Sequence, residues 1–290
     1  MKKILLPALL VLFINVIHAQ YYYYNNNYYD NDVIFEVGPH FGSMHGLTDV
    51  GGKDGGILSN LKFKSAHASS GAFAAVMYRQ TYGARIEATW GTLEGNDADG
   101  KNKERKLSYR TKINEIAVIG ELHPVNLFGN IENGAPMVSP YIALGGGWFS
   151  FDPQAKYNGR YISLQPLNTV GQGFAEYRSS REPYNLHQVN IIYGFGLKAD
   201  VTPLISIRAE LLVRKLFTDF LDDASGNYID PSLFDKNLSP EKAVIALAMN
   251  NPGNIPWQYK GNLRGDPKDK DSYFSFSLKA SVNMGKMLRY

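Results

Sequence analysis

From Val33 onward the chain alternates apolar and polar residues with a period of two, the pattern of half-buried β-strands. Near the C-terminus, Phe274, Phe276, Leu278, Ala280, Val282 and Met284 alternate with Tyr273, Ser275, Ser277, Lys279, Ser281 and Asn283. Ile205, Ile207, Ala209, Leu211 and Val213 alternate with Ser206, Arg208, Glu210, Leu212 and Arg214. Ala84, Ile86, Ala88 and Trp90 stand against Arg85, Glu87, Thr89 and Gly91, and Val189, Ile191, Tyr193, Phe195 and Leu197 against a face that includes Gln188, Asn190 and Lys198. Four weaker runs complete the set. They start at Val33 (Phe35, Val37 and Phe41 opposite Glu36 and His40) and cover Gly71 to Arg79, Tyr109 to Leu122 and Tyr141 to Phe151. In the third of these, Ile116, Val118 and Leu122 oppose Glu115 and Glu121.

Eight such strands fit either a soluble sandwich or a membrane barrel, because alternation does not say which face meets water. Three features favour the barrel. The connections alternate in length: strands two and three meet at Gln80–Thr81, strands six and seven at Asp200–Pro203, and strands four and five through Pro124 to Val138. The connections after strands one, three, five and seven are longer, the last roughly 50 residues, as in outer-membrane barrels with short periplasmic turns. Trp90 and Trp148 fall at the ends of upward strands beside long loops, where an interfacial girdle is expected. The polar faces balance, with Glu36, Glu87, Glu115, Glu121 and Glu210 against Arg85, Lys198, Arg208, Arg214 and Lys279. In a narrow lumen such charges are tolerable as pairs, and an eight-stranded barrel is just wide enough to be filled by side chains. The pattern therefore predicts an all-β protein: an eight-stranded antiparallel transmembrane β-barrel with long extracellular loops and a lumen plugged by ion pairs.

The N-terminal residues supply the compartment. Lys2 and Lys3 precede an apolar run from Ile4 to Ile17, and Ala19 offers a small residue before a cleavage point at Gln20. That is a secretory signal at 1–19, too short for a membrane-spanning helix. A Tyr/Asn-rich leader at 20–32 follows, expected in the periplasm, and then the barrel at 33–290, placed in the bacterial outer membrane and its lipid bilayer. No cysteine occurs anywhere, so the fold has no disulfides and the chain is no lipoprotein. No later apolar stretch suits a membrane helix, and the mild net charge of +3 argues against nucleic acid as a partner.

The segments Ser139 to Ala155 (SPYIALGGGWFSFDPQA), Leu164 to Gly173 (LQPLNTVGQG) and Asp219 to Tyr228 (DFLDDASGNY) resemble the PorG-like proteins. The likeness spans the chain from about Phe35 to the end, and its specific part is confined to Ser139 to Tyr228. The resemblance implies an outer-membrane barrel of the type IX secretion system that accompanies a periplasmic ring built from PorK and PorN. It also implies that the barrel is not itself the translocation pore. Two departures stand out: Val170 replaces an expected polar residue, and a helical insert runs from Ser239 through Met249, with Pro240 at its first position and Asn250, Asn251 and Pro252 at its end.

No catalytic, cofactor or metal site is expected, and no small-molecule substrate is evident. His40, Ser43, Met44 and His45 sit near the top of the first strand, a weak lipid-hydrolase signal. Asp219, Asp222, Asp223 and Asp230 are acidic, but without EF-hand spacing they read as a solvated turn. Asp97 to Lys106 also reads as solvated surface, and Gly171-Gln172-Gly173 lacks the lysine of a phosphate loop. The expected function is a non-enzymatic secretion component that anchors or positions the ring. The alternatives are a small channel, or an adhesin or receptor working through its loops, Trp257 included.

Overall fold

The computed structural model describes residues 32–52, 67–128, 138–177, 180–202, 204–256 and 262–284. The signal segment, the leader up to Asn31 and Trp257 lie outside the described residues. Nine strands form one antiparallel sheet: β1 (Val33–Leu47), β2 (His67–Tyr78), β3 (Tyr82–Asn96), β4 (Ser108–Leu122), β5 (Val138–Tyr157), β6 (Arg160–Ser163), β7 (His187–Thr202), β8 (Ile205–Leu216) and β9 (Ser272–Met284). The ring closes where β1 pairs with β9, from Phe35↔Met284 to Leu47↔Ser272, and where β4 pairs with β5 and β5 with β7. β6 pairs only with the upper end of β5, so the barrel itself has eight strands, each hydrogen-bonded on both edges. That closure is what strands crossing lipid require, since it leaves no open sheet edge.

The turns at one end are tight. Arg79 and Gln80 both adopt positive φ, 47° and 51°, and the Tyr78 carbonyl accepts from the Thr81 amide at 3.0 Å. Three residues thus link the paired Tyr78 and Tyr82, and the two positive-φ positions give the turn a twist that suits a hairpin, here without glycine. The β4–β5 connection begins with a short helix, α1 (Pro124–Phe128). At the other end the strands run past the membrane: β3 continues from Trp90 to Asn96 and β5 from Trp148 to Tyr157. The tryptophans therefore lie within their strands, not at the strand ends expected from sequence.

Polarity is inverted relative to a soluble sheet. Ile86, Val118, Leu144 and Phe195 face outward with 59–64 % of their surface exposed, while Arg85, Glu87, Glu210 and Lys279 face inward at 1–2 %. A continuous apolar outer wall far exceeds what a water-soluble monomer exposes. It is bounded below by Tyr78 and Tyr82 and above by Trp90 and Trp148, all exposed. The run from Tyr82 to Trp90 spans about 27 Å of strand, or ~20 Å of height at a ~40° tilt, close to a lipid-facing band of ~25 Å. No helix among the described residues is long and apolar enough to cross a membrane; the strands do the crossing.

Candidate functional site

The inward residues form a layered ion-pair network. In the layer nearest the tight turns, Glu36 accepts from Lys198 at 2.7 Å and meets Arg208 at 2.5 Å. Lys198 also lies 3.4 Å from Asp200, and Arg208 3.8 Å from Glu121. In the middle layer Arg85 is the hub: its Nη1 pairs with Glu121, its Nη2 with Glu210 at 2.5 Å, and its Nε with Glu87 at 2.9 Å. Lys279 bridges the same carboxylates, pairing with Glu87 and lying 2.9 Å from Glu210. The Tyr141 hydroxyl donates to Glu210 at 2.8 Å. In the top layer Glu115 meets Arg214 at 3.1 Å and accepts from Tyr273 at 2.9 Å and Asn190 at 2.6 Å.

All ten charged residues singled out from sequence are thus buried, inward and in contact with opposite charge. The sequence missed several other members of the network. Asp200, which the sequence pattern places in a turn, is carried inward by β7. His40 lies 3.5 Å from Glu87, and His123 lies 3.5 Å from Glu121 and pairs with Ser139 at 2.9 Å. Glycines make room for these large side chains. A Cβ on Gly196 would sit 2.4 Å from the Tyr141 ring, so Gly196 is what lets Tyr141 reach across to Glu210. The polar tyrosines and amides were invisible to a count of charges, but their inward register was readable from strand parity.

Trp90 and Trp148 both point outward near the upper edge of the apolar wall, and His187 stacks on Trp148 with centroids 5.2 Å apart and planes within 4°. The Ser43 hydroxyl does meet His45 Nε2, at 3.2 Å. His45 is stacked on Phe274, however, and its buried Nδ1 has no hydrogen-bond partner, so nothing orients it as a general base.

Above the membrane the long loops fold into a cap. One apolar cluster, with Met44, Leu93, Phe149, Phe151 and Tyr273 at its heart, closes the barrel mouth. A second joins Leu164, Leu167 and Phe174 to two helices, α2 (Ser232–Asn237) and α3 (Pro240–Asn250). α3 matches the helix read from sequence, with extended Ser239 before it and Pro240 at its first position. Two loops that the sequence suggests are solvated instead bury their carboxylates. Asp97 is fully buried, holding Arg105 at 2.8 Å and the backbone amides of Gly51 and Leu107, while Arg105 donates to the carbonyls of Asp49 and Arg264 at 2.7 Å. Asp219, Asp222 and Asp223 are likewise buried, and the last two act as acceptors for amides and hydroxyls that the loops would otherwise orphan. Asp222 accepts from Val50 and Ala224 amides at 2.9 Å, and Asp223 accepts from Thr169 at 2.5 Å and Tyr184 at 2.8 Å. Among the described residues no cluster of three or more His, Asp or Glu side chains is arranged to hold a metal ion.

Burial, reinforced by neighbouring carboxylates that include Asp49, pushes Asp219 and Asp222 up to about 7, and burial raises Asp271 well above the usual range. The closed cap thus holds these protons more tightly than an opened cap would, where a carboxyl titrates near ~3.9. Stability from this source is fully present below that value and is lost as pH rises towards 7. Amide exchange across residues 217–230, corrected for its intrinsic pH dependence, is expected to be ~10-fold or more faster at pH 8 than at pH 5. Slower exchange at pH 8 would contradict the sign.

A closed ring with an apolar outer wall, an ion-paired interior and loops gathered at one end defines a bacterial outer-membrane β-barrel protein. No family model matches the chain, and no curated protein matches it. Among solved structures it is similar to the attachment invasion locus protein Ail of Yersinia pestis in complex with the heparin analogue sucrose octasulfate, at 10 % identity and TM-score 0.38, covering 87 % of this chain and 97 % of that one. It is also similar to the outer membrane protein OprG from Pseudomonas aeruginosa (10 % identity, TM-score 0.38, 88 % and 97 % covered). A third is a major outer membrane protein from Thermus thermophilus (12 % identity, TM-score 0.38, 87 % and 99 % covered). At that distance the class rests on this chain's own ring closure and inverted polarity.

Proposed function

We propose that the protein is a non-enzymatic, non-conducting outer-membrane component of the type IX secretion system that anchors or positions the periplasmic PorK/PorN ring. The observation that carries the non-conducting part is the lumen: Arg85, its three carboxylate partners and the layers above and below occupy the path an ion would take. Function then falls to the two rims. The secretion assignment rests on the resemblance in the loops. In its support, two of the segments that carry it are in contact, since Thr169 donates to Asp223. The departure at Val170 also has a local reason, because that side chain is buried in the cap.

Co-purification from solubilised outer membranes is the direct test, with the ring proteins expected in the eluate. A deletion strain that secretes normally would sink the proposal. In planar bilayers the purified barrel is expected to give no conductance steps at low voltage; stable single-channel openings would move the reading to a channel. The folded cap favours a second reading, a surface receptor or adhesin, for which the expected result is loss of cell binding on replacing the β8–β9 loop with ring co-purification unchanged.

A further inference from the structure

The ion pairs in the lumen neutralise one another, but one chain of charged side chains lies outside it and braces an exposed ring. Glu94 on β3 faces outward above Trp90 and holds Arg110 of β4 at 3.3 Å and His67 of β2 at 3.6 Å. Arg110 in turn lies over the Tyr161 ring of β6, 4.9 Å from its centroid. Tyr161 remains 46 % exposed. Its position depends on the β5–β6 hairpin, whose turn places Asn158 and Gly159 at φ 47° and 83° and pairs Tyr157 with Arg160. Four strands thus converge to hold an aromatic ring steady at the surface. The pairs are about two-thirds buried, which fixes the Arg110 guanidinium and with it the ring beneath.

Tyr161 and Glu94 line a cavity of about 370 Å³ that also presents His67, Asn96, Ser108 and Lys156. The volume falls in the range of small-molecule sites, ~300–1,000 Å³. The lining selects by chemistry. Short hydroxyl, amide and imidazole groups offer both donors and acceptors, so an apolar ligand would leave them unpaired at a cost. Glu94 is already paired with Arg110, and the lining adds a single lysine, Lys156, so the cleft presents no cluster of cations for a polyanion. A fixed aromatic face beside mixed donors and acceptors suits a molecule with one apolar face and a rim of hydroxyls.

We infer that this extracellular cleft binds a neutral saccharide, with a sugar ring packed on Tyr161 and its hydroxyls met by the polar side chains around it. The inference is independent of the role proposed at the periplasmic rim. Such a sugar has two available sources, the neutral hexose units at the outer end of the lipopolysaccharide core in the surrounding leaflet and an oligosaccharide arriving from outside.

The full chain, purified in detergent, would be titrated calorimetrically with maltohexaose, cellohexaose and chitohexaose, with delipidated lipopolysaccharide core oligosaccharide, and with a heparin hexasaccharide as the polyanionic control. Saturable binding of at least one neutral saccharide or of the core is expected. Tyr161→Ala should weaken it by ~10-fold or more, as loss of an aromatic anchor does. Tyr161→Phe should retain it within a few-fold, and Glu94→Gln should weaken it by releasing Arg110. Heat-modifiable gel mobility reports whether each variant keeps its barrel. Binding of the core alone assigns the site to the protein's own leaflet, and binding of a free hexasaccharide alone assigns it to the environment. No binding, binding of heparin only, or a folded Tyr161→Ala variant with wild-type affinity would each overturn the inference.

Discussion

Arg85→Ala is expected to destabilise the barrel by about 3–5 kcal/mol, the range for removing one partner from a buried ionic cluster. The reason lies in what remains. Arg85 is fully buried and meets Glu87, Glu121 and Glu210, three carboxylates on three different strands. Without it, Glu87 and Glu210 share the one ammonium of Lys279, helped by His40 beside Glu87 and the Tyr141 hydroxyl on Glu210, and Glu121 depends on Arg208 at 3.8 Å and on His123. The network is left with excess negative charge where water is sparse, and desolvation then outweighs the surviving attraction. Urea unfolding in detergent, followed by the fluorescence of Trp90 and Trp148, would report the loss. Adding Glu210→Gln to the Arg85→Ala background should recover part of it, because the second change removes one of the stranded charges; the coupling is expected at ~1–3 kcal/mol. If the double variant were as unstable as the two single losses added together, Arg85 and Glu210 would not act as a pair.

That hub was legible in the sequence because strand periodicity is local. Once Ile86 and Ala88 are assigned to one face, Arg85 and Glu87 must share the other, whatever the rest of the chain does. The same parity placed Lys279 and Glu210 inside. The partners across the lumen were not legible: Glu36 and Lys198 meet although 162 residues apart, and only ring closure brings them together. The cap was hidden for the same reason. Asp222 caps the Val50 amide 172 residues away, so a carboxylate that reads as solvated turn chemistry is a buried tie between two loops. The β5–β6 hairpin is a different case. Its Asn158-Gly159 pair is a strong local turn signal, and the continuation of β5 beyond Phe151 to Tyr157 could have been read from it. Missing that hairpin left Tyr161, and with it the cleft, out of the expected sites.

The inverted polarity itself leads to an equally large effect with the opposite logic. Val118 lies on the outer wall with 61 % of its surface exposed, paired with Ile86, the middle position between the Tyr82 and Trp90 girdles. In a soluble sheet, arginine at so open a site would be nearly neutral. At the midplane of a bilayer it must either carry its charge into hydrocarbon or draw in water and headgroups, at about 2–4 kcal/mol. Val118→Arg is therefore expected to lower the unfolding free energy in lipid vesicles by that amount. Arginine at Asn114, on the same strand and level with Trp90, should cost only ~0–1 kcal/mol, because the guanidinium reaches the interface. The gradient between the two sites is what identifies lipid as the solvent of this face. Equal and small effects at Val118 and Asn114 would mean that the apolar wall meets protein or water instead.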